Sequence, residues 1–522
     1  MQRFITKYHD RIVGAVSGFD RVQFRGTLRR ISSLQGLSTY LAYMGVLLKH
    51  FGEWSMSLTA RIRQASEAIA AQTGRPLHYV GSSAVRKEDF ARSIAQRDGI
   101  HHGLICVLTA VEPCMSFDVR RNRERKRIEL VARERKCLWV YHYLMHPQLG
   151  FMHARLQTWV PFTIKICING REWLAQQLQH AGIGFLRKRN CFIDVADMAG
   201  TQRLAWQQLR TNWPHLLDSI AAHVNPVHRE LFHDYPLPYY WSADETEWAT
   251  DMLFGSADDL SLLYPSLLRQ AITTFGSDDV MRFLGQIHPL QRSHPNFKGQ
   301  VVSDIRRRPE GLCIKHRLNA NSVKMYNKEG SVLRVETTIN NARQFKVYRP
   351  SEDKPRGRPR WLRMRKGVAD LHRRARVSQA CNERYIDALA TLDTDTPLAH
   401  LVHPLCRSLR DHGRRYRALS PFAQNDRELL AAVCRPEFLI NGLRNRELRC
   451  LLYPNSQAGA LADRRRAAGR VTRMLGILRA HGILKKVPKT HRYLLTDRGR
   501  QITTLLSLAA NATPCQLARL AA

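Results

Sequence analysis

One stretch decides the fold at the C-terminal end of the chain: Val471-Thr-Arg-Met-Leu-Gly-Ile-Leu-Arg-Ala-His-Gly-Ile-Leu-Lys-Lys-Val-Pro-Lys-Thr-His-Arg-Tyr-Leu-Leu495. Its first half places apolar residues three or four positions apart, which is the spacing of one helix face, and Gly482 is the residue type that commonly ends a helix. Its second half has two short apolar runs, Ile483–Val487 and His491–Leu495, around a turn. The stretch therefore predicts a helix from about 463 to 481, followed by a β-hairpin.

Two more helical patterns precede this stretch and complete a recognisable order. Asp426-Arg-Glu-Leu-Leu-Ala-Ala-Val433 and Asn445-Arg-Glu-Leu-Arg-Cys-Leu-Leu-Tyr453 each begin with a residue that caps helices well. Helix, helix, helix, hairpin is the order of a winged helix-turn-helix domain. The segment Leu478–Pro488, with Thr496–Arg500, resembles the recognition-helix-to-wing segment of bacterial winged-helix regulators such as the MarR-like group, over less than a fifth of the chain.

This resemblance implies that the third helix enters the major groove of duplex DNA. The expected nucleic-acid-binding residues are Arg464, Arg465, Arg466, Arg470 and Arg473 on the third helix, with Lys489 and Arg492 on the wing. The alternative interpretation is a solvated basic helix face on a domain that contacts other proteins.

The charge of the chain indicates the class of its partner. Among 522 residues there are 82 Lys and Arg against 44 Asp and Glu, a formal net charge of +38. Such an excess favours a polyanionic partner, most commonly nucleic acid. A membrane partner is not expected, since no apolar run of about 18 residues occurs and the N-terminus lacks the apolar core of a signal peptide. Eleven cysteines without a Cys-x-x-Cys pair favour reduced thiols and a cytoplasmic protein.

Strand and helix patterns alternate along the first part of the chain and predict an α/β fold with a mixed sheet. The predicted organisation is an α/β domain at 1–198, a helical region at 199–300, antiparallel strands completing the body at 301–349, a basic linker at 350–376, a helical connector at 377–425, the winged helix-turn-helix domain at 426–508 and a tail at 509–522.

Within the predicted linker, Lys354-Pro-Arg-Gly-Arg-Pro-Arg360 resembles the core of an AT-hook. The resemblance implies an extended segment in a narrow A/T minor groove, into which Arg356 and Arg358 insert. A chance match in a flexible basic segment is the alternative. Either way, ten Lys and Arg against one acid between 354 and 376 predict contacts with a phosphate backbone.

Carboxylates are scarce, so those at strand ends are candidates for catalysis. The segments Ser322–Lys328 and Leu333–Glu336 resemble strands of rolling-circle replication initiators. This implies that Glu336 holds a divalent metal while Lys324 or Lys328 holds a phosphate. The His-hydrophobic-His pair of one such group does not occur in the sequence, and the alternative is a hairpin with one cross-strand ion pair.

A ribonuclease-H-like nuclease or transposase is a second hypothesis, because it needs carboxylates on strands around two metal ions. Asp20, after the first strand, and Glu112, at the end of a later strand, are its candidates, and a helix face with Asp244, Glu247 and Asp251 could supply a third. The catalytic candidates are therefore Asp20, Glu112 and Glu336, with Mg²⁺ as cofactor if the protein is catalytic.

Two histidines four residues apart, His142 and His146, would form a metal site only on a helix, and structural histidines are the favoured interpretation. No metal-ligand set is assigned from the sequence.

The sequence therefore predicts a nucleic-acid-binding protein of a bacterial mobile or accessory element, acting in replication, recombination or transposition. Duplex DNA is the favoured partner and RNA the second. A ribonucleoprotein subunit and a transcriptional regulator are the alternative functions. If the chain is an enzyme, a metal-dependent nuclease or strand transferase is expected. The oligomeric state is left open.

Overall fold

A computed structural model of the chain describes residues 1–286, 299–308, 311–354, 356–390, 398–411, 413–434, 438, 442–454, 460–488 and 490–511. Its helices are α1 Gln2–Lys7, α2 Leu34–Tyr43, α3 Phe51–Gln72, α4 Lys87–Arg97, α5 Gly170–His180, α6 Met198–Gln207, α7 Trp213–Val224, α8 His228–Leu231, α9 Ala257–Thr273, α10 Ser277–Phe283, α11 Leu371–Leu389, α12 Leu398–Val402, α13 Gln424–Val433, α14 Asn445–Leu452, α15 Leu461–Ala480 and α16 Asp497–Asn511. Its strands are β1 Ile12–Thr27, β2 Leu77–Tyr79, β3 Gly103–Asn122, β4 Arg127–His146, β5 Gly150–Gln157, β6 Ile164–Asn169, β7 Phe185–Lys188, β8 Cys191–Val195, β9 Tyr240–Phe254, β10 Val301–Arg308, β11 Gly311–Leu318, β12 Asn321–Lys328, β13 Val332–Ile339, β14 Lys346–Arg349, β15 Arg360–Arg363, β16 Leu409–Asp411, β17 Arg414–Tyr416, β18 Leu443–Arg444, β19 Leu484–Lys486 and β20 Arg492–Leu495.

An eleven-stranded sheet organises the larger part of the chain. Its strand order is β10-β11-β12-β13-β9-β1-β6-β5-β4-β3-β2. The pairing of β2 with β3 is parallel, and the other pairings within this sheet are antiparallel. The predicted α/β fold with a mixed sheet is thus confirmed.

The centre of this sheet is covered on both faces. All eight residues of β13 are buried, as is typical of a strand with packing on each side. On one face Trp248 of β9, which has no exposed surface, contacts Trp206 of α6 at 5.3 Å between ring centroids and donates its indole N–H to Gln379 of α11. On the other face lie α5 and the β7–β8 hairpin, which contribute Arg171 and Asn190 to the site described below.

The helical region predicted for 199–300 is wrong for 240–254, which forms the central strand β9. The acids Asp244, Glu247 and Asp251 suggested a helix face because they are three and four residues apart. The strand prevails because β9 lies between β1 and β13, so its backbone groups pair on both edges.

The basic segment 350–376 is not a free linker. Strand β15 pairs with β14, so residues 350–354 and 356–359 belong to the connection of a β-hairpin. The carbonyl of Lys366 accepts a hydrogen bond from the N–H of Ala243, which fixes the segment to β9. Helix α11 then runs across the boundary predicted at 376, and the predicted helical connector contains the β16–β17 hairpin.

The chain divides into two compact units. The first comprises most of the residues up to Ile386, including the large sheet. The second comprises Pro265–Arg282 and the described residues from Asp387 onward. In this second unit α13, α14 and α15 are followed by β19 and β20, and β18 completes a three-stranded sheet of order β18-β20-β19. Leu448, Val471, Leu475 and Leu495 belong to its apolar core.

Among the described residues, no helix is both long enough and apolar enough to cross a membrane.

Candidate metal centre

Three carboxylates meet at the centre of the large sheet. Asp20 of β1, Glu247 of β9 and Glu336 of β13 each place an oxygen within 4.8 Å of the others. Glu336 is fully buried, and the side chains of Asp20 and Glu247 are 11% and 14% exposed. Within the described residues, no other group of His, Cys, Asp and Glu side chains converges in this way.

The register of the strands explains why these side chains share a face. Across β9 and β13, Glu336 is opposite Ala249, and Glu247 is opposite Thr338, two residues further along each strand. On β1 the register shifts between Phe19 and Arg21, so Asp20 is the extra residue of a β-bulge. Bulges redirect side chains beside functional sites, and this one brings the Asp20 carboxylate to the other two.

Cationic and phenolic groups line the edge of the centre toward β12. Lys324 is directly opposite Glu336, with 2.7 Å between its Nζ and Oε1 of Glu336. Tyr326 donates its hydroxyl proton to Oε2 of Glu336 at 3.1 Å. On β1, Arg21 Nε lies 3.3 Å from a carboxylate oxygen of Glu247. A ligand at the carboxylates would therefore also meet an ammonium group and a phenol.

A buried arginine holds the base of the centre. Arg334, which has no exposed surface, donates from Nη1 to Asp20 at 2.8 Å and from Nε and Nη2 to Asp251 at 2.5 and 2.8 Å. Asp20 accepts a second hydrogen bond from Asn190 at 2.7 Å, and Asp251 lies 2.8 Å from Arg171. These bonds orient Asp20 and keep it from turning away from the centre.

The same contacts set the ionisation of the carboxylates. Burial raises the pKa of Glu247 to about 7, and the neighbouring Glu336 acts in the same direction. Burial also opposes the ionisation of Asp20, but Arg334 and Arg171 outweigh it and hold the pKa of Asp20 below its ordinary value. Near neutral pH, Glu247 is therefore the carboxylate that changes charge.

The donor set suits a hard divalent cation. Mg²⁺ and Mn²⁺ prefer carboxylate oxygens, and a cation at this position would offset the burial and the repulsion from Glu336 that together raise the pKa of Glu247. A cation held by Asp20, Glu247 and Glu336 would supply Lewis-acid chemistry at a phosphoryl oxygen and at a water or hydroxyl. The ammonium of Lys324 could hold a non-bridging phosphate oxygen beside it.

Glu112, predicted to be catalytic, does not belong to this centre. Strands β6, β5 and β4 lie between β1 and β3, which puts Glu112 roughly 19 Å away at the usual strand spacing. Its carboxylate instead accepts from Tyr141 at 2.6 Å and contacts Lys87 and Arg155. Glu247 takes the third position, and polar and apolar residues do not alternate regularly along Tyr240–Phe254, which left this strand without a clear sequence signal.

The histidines His142 and His146 lie on β4, not on a helix. Four residues of strand separate them by roughly 13 Å, so one ion cannot bridge them. Burial lowers the pKa of His142 to about 4, which is consistent with a neutral core histidine.

The predicted nucleic-acid-binding residues lie in two separate regions. Arg464, Arg465, Arg466, Arg470 and Arg473 are exposed on α15, where Arg466 lies 3.3 Å from Asp463. Arg492 is half-buried on β20, and Lys489 lies outside the described residues. Arg356 and Arg358 are exposed in the β14–β15 connection. There Gly357 donates its N–H to the carbonyl of Lys354 at 2.9 Å, so this segment turns where an AT-hook core would be extended.

One basic feature was not predicted from the sequence. Strand β5 pairs with β4 only from Trp139 onward. The first part of β4, residues 127–138, therefore forms a two-stranded ribbon with β3. An open concavity near its tip is lined by Arg120, Arg121, Arg123 and Lys126, for which no ion pair is recorded among the described residues.

Comparisons of the chain with protein-family models, curated proteins and solved structures found no match.

Proposed function

We propose that this chain is a metal-dependent enzyme that cleaves or transfers phosphodiester bonds in nucleic acid. The observation that carries this proposal is the convergence of Asp20, Glu247 and Glu336 beside Lys324. Asp20, Glu247 and Glu336 supply oxygen ligands for Mg²⁺, and the cation would stabilise the charge that develops on a reacting phosphate.

Charge supports a nucleic-acid substrate. Lys and Arg outnumber Asp and Glu almost two to one in this sequence, yet three acids lie together on β1, β9 and β13 of the large sheet. Burying carboxylates with incomplete compensation is costly, and the raised pKa of Glu247 reflects that cost. Arg21 and Lys324 pair with Glu247 but do not fully offset its burial beside Glu336, and a cation would supply the remaining counter-charge.

We further propose that 426–508 is a winged helix-turn-helix domain that binds duplex DNA. The order α13, α14, α15, β19, β20 supports this, because it matches the order expected of such domains. Helix α15 would lie in the major groove, with Arg465, Arg470 and Arg473 exposed along it. In the other unit, the arginine-rich tip of the β3–β4 ribbon would be a separate duplex-binding surface, since a two-stranded ribbon also fits a major groove.

In this proposal the protein acts in replication, recombination or transposition of a bacterial mobile or accessory element. The carboxylate centre favours this over a plain transcriptional regulator, which needs no such centre. A ribonucleoprotein subunit remains the second candidate, because the basic charge would serve RNA equally well.

Metal binding and cleavage test the proposal together. Isothermal titration with Mn²⁺ and incubation of the protein with labelled single-stranded and duplex DNA should detect a site and a cut product. Glu336→Gln and Glu247→Gln should abolish both. Glu112→Gln is the matched control, since it removes a partly buried, ion-paired carboxylate of the same sheet outside the centre, and it should leave both intact. Full cleavage by Glu336→Gln would refute the proposed centre, as would the absence of a cut product with every tested DNA and RNA.

A further inference from the structure

Two exposed aromatic residues lie opposite each other on the β14–β15 hairpin. Tyr348 pairs with Trp361, and their ring centroids are 5.8 Å apart with 57° between the ring planes. They are 58% and 68% exposed. Lys346 is opposite Arg363, two residues further along each strand, and both are exposed. Because residues opposite each other and two apart share a face, these four side chains form one surface, called here the aromatic face.

The hairpin is anchored on its other side. Val347 is 6% exposed and Arg349 is 7% exposed, and Nη2 of Arg349 donates to the carbonyl of Arg363 at 3.0 Å across the hairpin. The N–H of Met364 donates to the carbonyl of Phe345 at 2.8 Å just beyond the strands. Outside the hairpin, Nε of Arg349 lies 3.8 Å from Asp370 and the carbonyl of Lys366 accepts from Ala243 of β9, so the hairpin that carries the aromatic face is anchored.

Charge indicates what the aromatic face contacts. From 346 to 363 the sequence has seven Lys and Arg against two acids, Glu352 and Asp353. No ion pair is recorded for Lys346, Arg360 or Arg363 within the described residues, while Glu352 contacts Arg365. An apolar partner alone would leave these cations without a counter-charge. A ligand that combines flat rings with regularly spaced anions satisfies both the aromatic rings and the cations.

We propose that the aromatic face binds single-stranded nucleic acid, with bases stacked on Tyr348 and Trp361 and phosphates near Lys346 and Arg363. Bases of a duplex already stack on each other and show only their edges in the grooves, so they cannot cover these rings. Unpaired bases can, and stacking of this kind tolerates any sequence.

The aromatic face is also close enough to the carboxylate centre for one strand to reach both. Arg363 precedes Lys366 by three residues, Lys366 is bonded to Ala243, and Glu247 follows four residues later on β9. This path limits the distance from Arg363 to Glu247 to at most about 30 Å. In this respect the inference rests on the proposed function, because the bound strand would be the substrate, or the displaced strand, of the cleavage reaction.

Fluorescence anisotropy with labelled oligothymidylate, the matching oligouridylate and a duplex of the same length tests the proposal on the full chain. Trp361→Leu should weaken binding to the single strands roughly 5- to 150-fold, the range expected for one lost stacking interaction. Trp361→Phe should retain most of the affinity, because it keeps a flat ring. Phe422→Leu is the control for loss of another exposed aromatic residue, and all variants should bind the duplex as the unmodified protein does.

Equal losses on single-stranded and duplex DNA, or no loss with Trp361→Leu, would overturn the stacking proposal. A loss restricted to the RNA strand would replace DNA by RNA as the ligand. Near-ultraviolet circular dichroism shows whether a variant is folded, and Tyr348→Leu, which removes the other exposed ring and should cause a loss in the same range, decides the test if Trp361→Leu is not folded. Cleavage is scored separately. Stacking without metal-dependent cleavage would discard the catalytic centre alone, and cleavage with unchanged strand affinity would discard the aromatic face alone.

Discussion

Replacing Glu247 with glutamine should stabilise the metal-free protein above neutral pH. Folding raises the pKa of Glu247 from its ordinary value of 4.5 to about 7, because burial and Glu336 disfavour its charged form. The folded protein therefore binds a proton that the unfolded chain has released, and its stability falls as pH rises from about 4.5 through 7. The shift of about 2.5 corresponds to roughly 3 kcal/mol at pH 8. Glutamine carries no charge, so Glu247→Gln should avoid this cost at pH 8 and change little at pH 4.

The assay can be confined to the unit that holds the centre. All nine tryptophans, from Trp54 to Trp361, lie in the first of the two units. Urea unfolding followed by tryptophan fluorescence, with a chelator present, therefore reports on the large sheet at pH 4 and at pH 8. Glu245→Gln is the matched control, since Glu245 also contacts Arg21 but is not part of the carboxylate centre.

A metal ion should make the unmodified protein more stable than Glu247→Gln at pH 8, the reverse of the result without metal. Mn²⁺ should raise the urea concentration at the unfolding midpoint of the unmodified protein at pH 8, and it should have little effect on the midpoint of Glu247→Gln. If Glu247→Gln instead destabilised the protein equally at both pH values, Glu247 would be a structural partner of Arg21 and Lys324, and the reasoning from its pKa would be refuted.

Three further predictions concern the support of the centre and the basic surfaces. Arg334→Ala leaves Asp20 and Asp251 buried without their main counter-charge and should lower the free energy of unfolding by about 3–5 kcal/mol. The side chain of Arg21 is 49% exposed, so Arg21→Ala should lower it by about 1 kcal/mol or less in the same urea assay. Exchanging Arg465, Arg470 and Arg473 for glutamine should weaken duplex binding and lower the slope of log affinity against log salt by up to about 3. Fluorescence anisotropy between roughly 50 and 200 mM salt measures this slope. An unchanged slope would remove α15 from the interface. Exchanging Arg120, Arg121, Arg123 and Lys126 for glutamine should lower the same slope if the ribbon tip contacts phosphates, and should leave unfolding by urea unchanged because these side chains are exposed.

The C-terminal helices and hairpin could be predicted closely because their signals are local. The helix expected from Asp463 to His481 is α15, Leu461–Ala480, and the strands expected around Pro488 are β19 and β20. Apolar spacing, a helix-ending Gly482 and a turn between two short runs all lie within about 30 residues. No contact with a distant part of the chain was needed to place them.

The carboxylate centre could be predicted only in part because it depends on strand order. Asp20 and Glu336 were chosen for their positions on strands, and they do meet. Glu112 satisfied the same criterion, and local sequence gives no indication that three strands separate it from β1. The sequence predicts a helix around Glu247 because Asp244, Glu247 and Asp251 are three and four residues apart, which is the spacing of one helix face. The bulge at Asp20 has no signal in the sequence at all, since it arises from the pairing of β1 with β9.

Asp20 of β1 and Glu247 of β9 differ in their ionisation, and this difference gives the centre its expected pH dependence. Asp20 is kept charged by Arg334 and Arg171, whereas Glu247 has a pKa of about 7. A cation that binds below pH 7 must therefore displace about one proton, from Glu247, and its affinity should fall about tenfold for each unit by which the pH drops below 7. Above pH 7 Glu247 has already lost this proton, and the affinity should become independent of pH. At a site formed by three carboxylates with ordinary pKa values, the cation affinity would stay constant down to about pH 5. The pH at which the affinity begins to fall therefore distinguishes the buried centre from a surface cluster of acids.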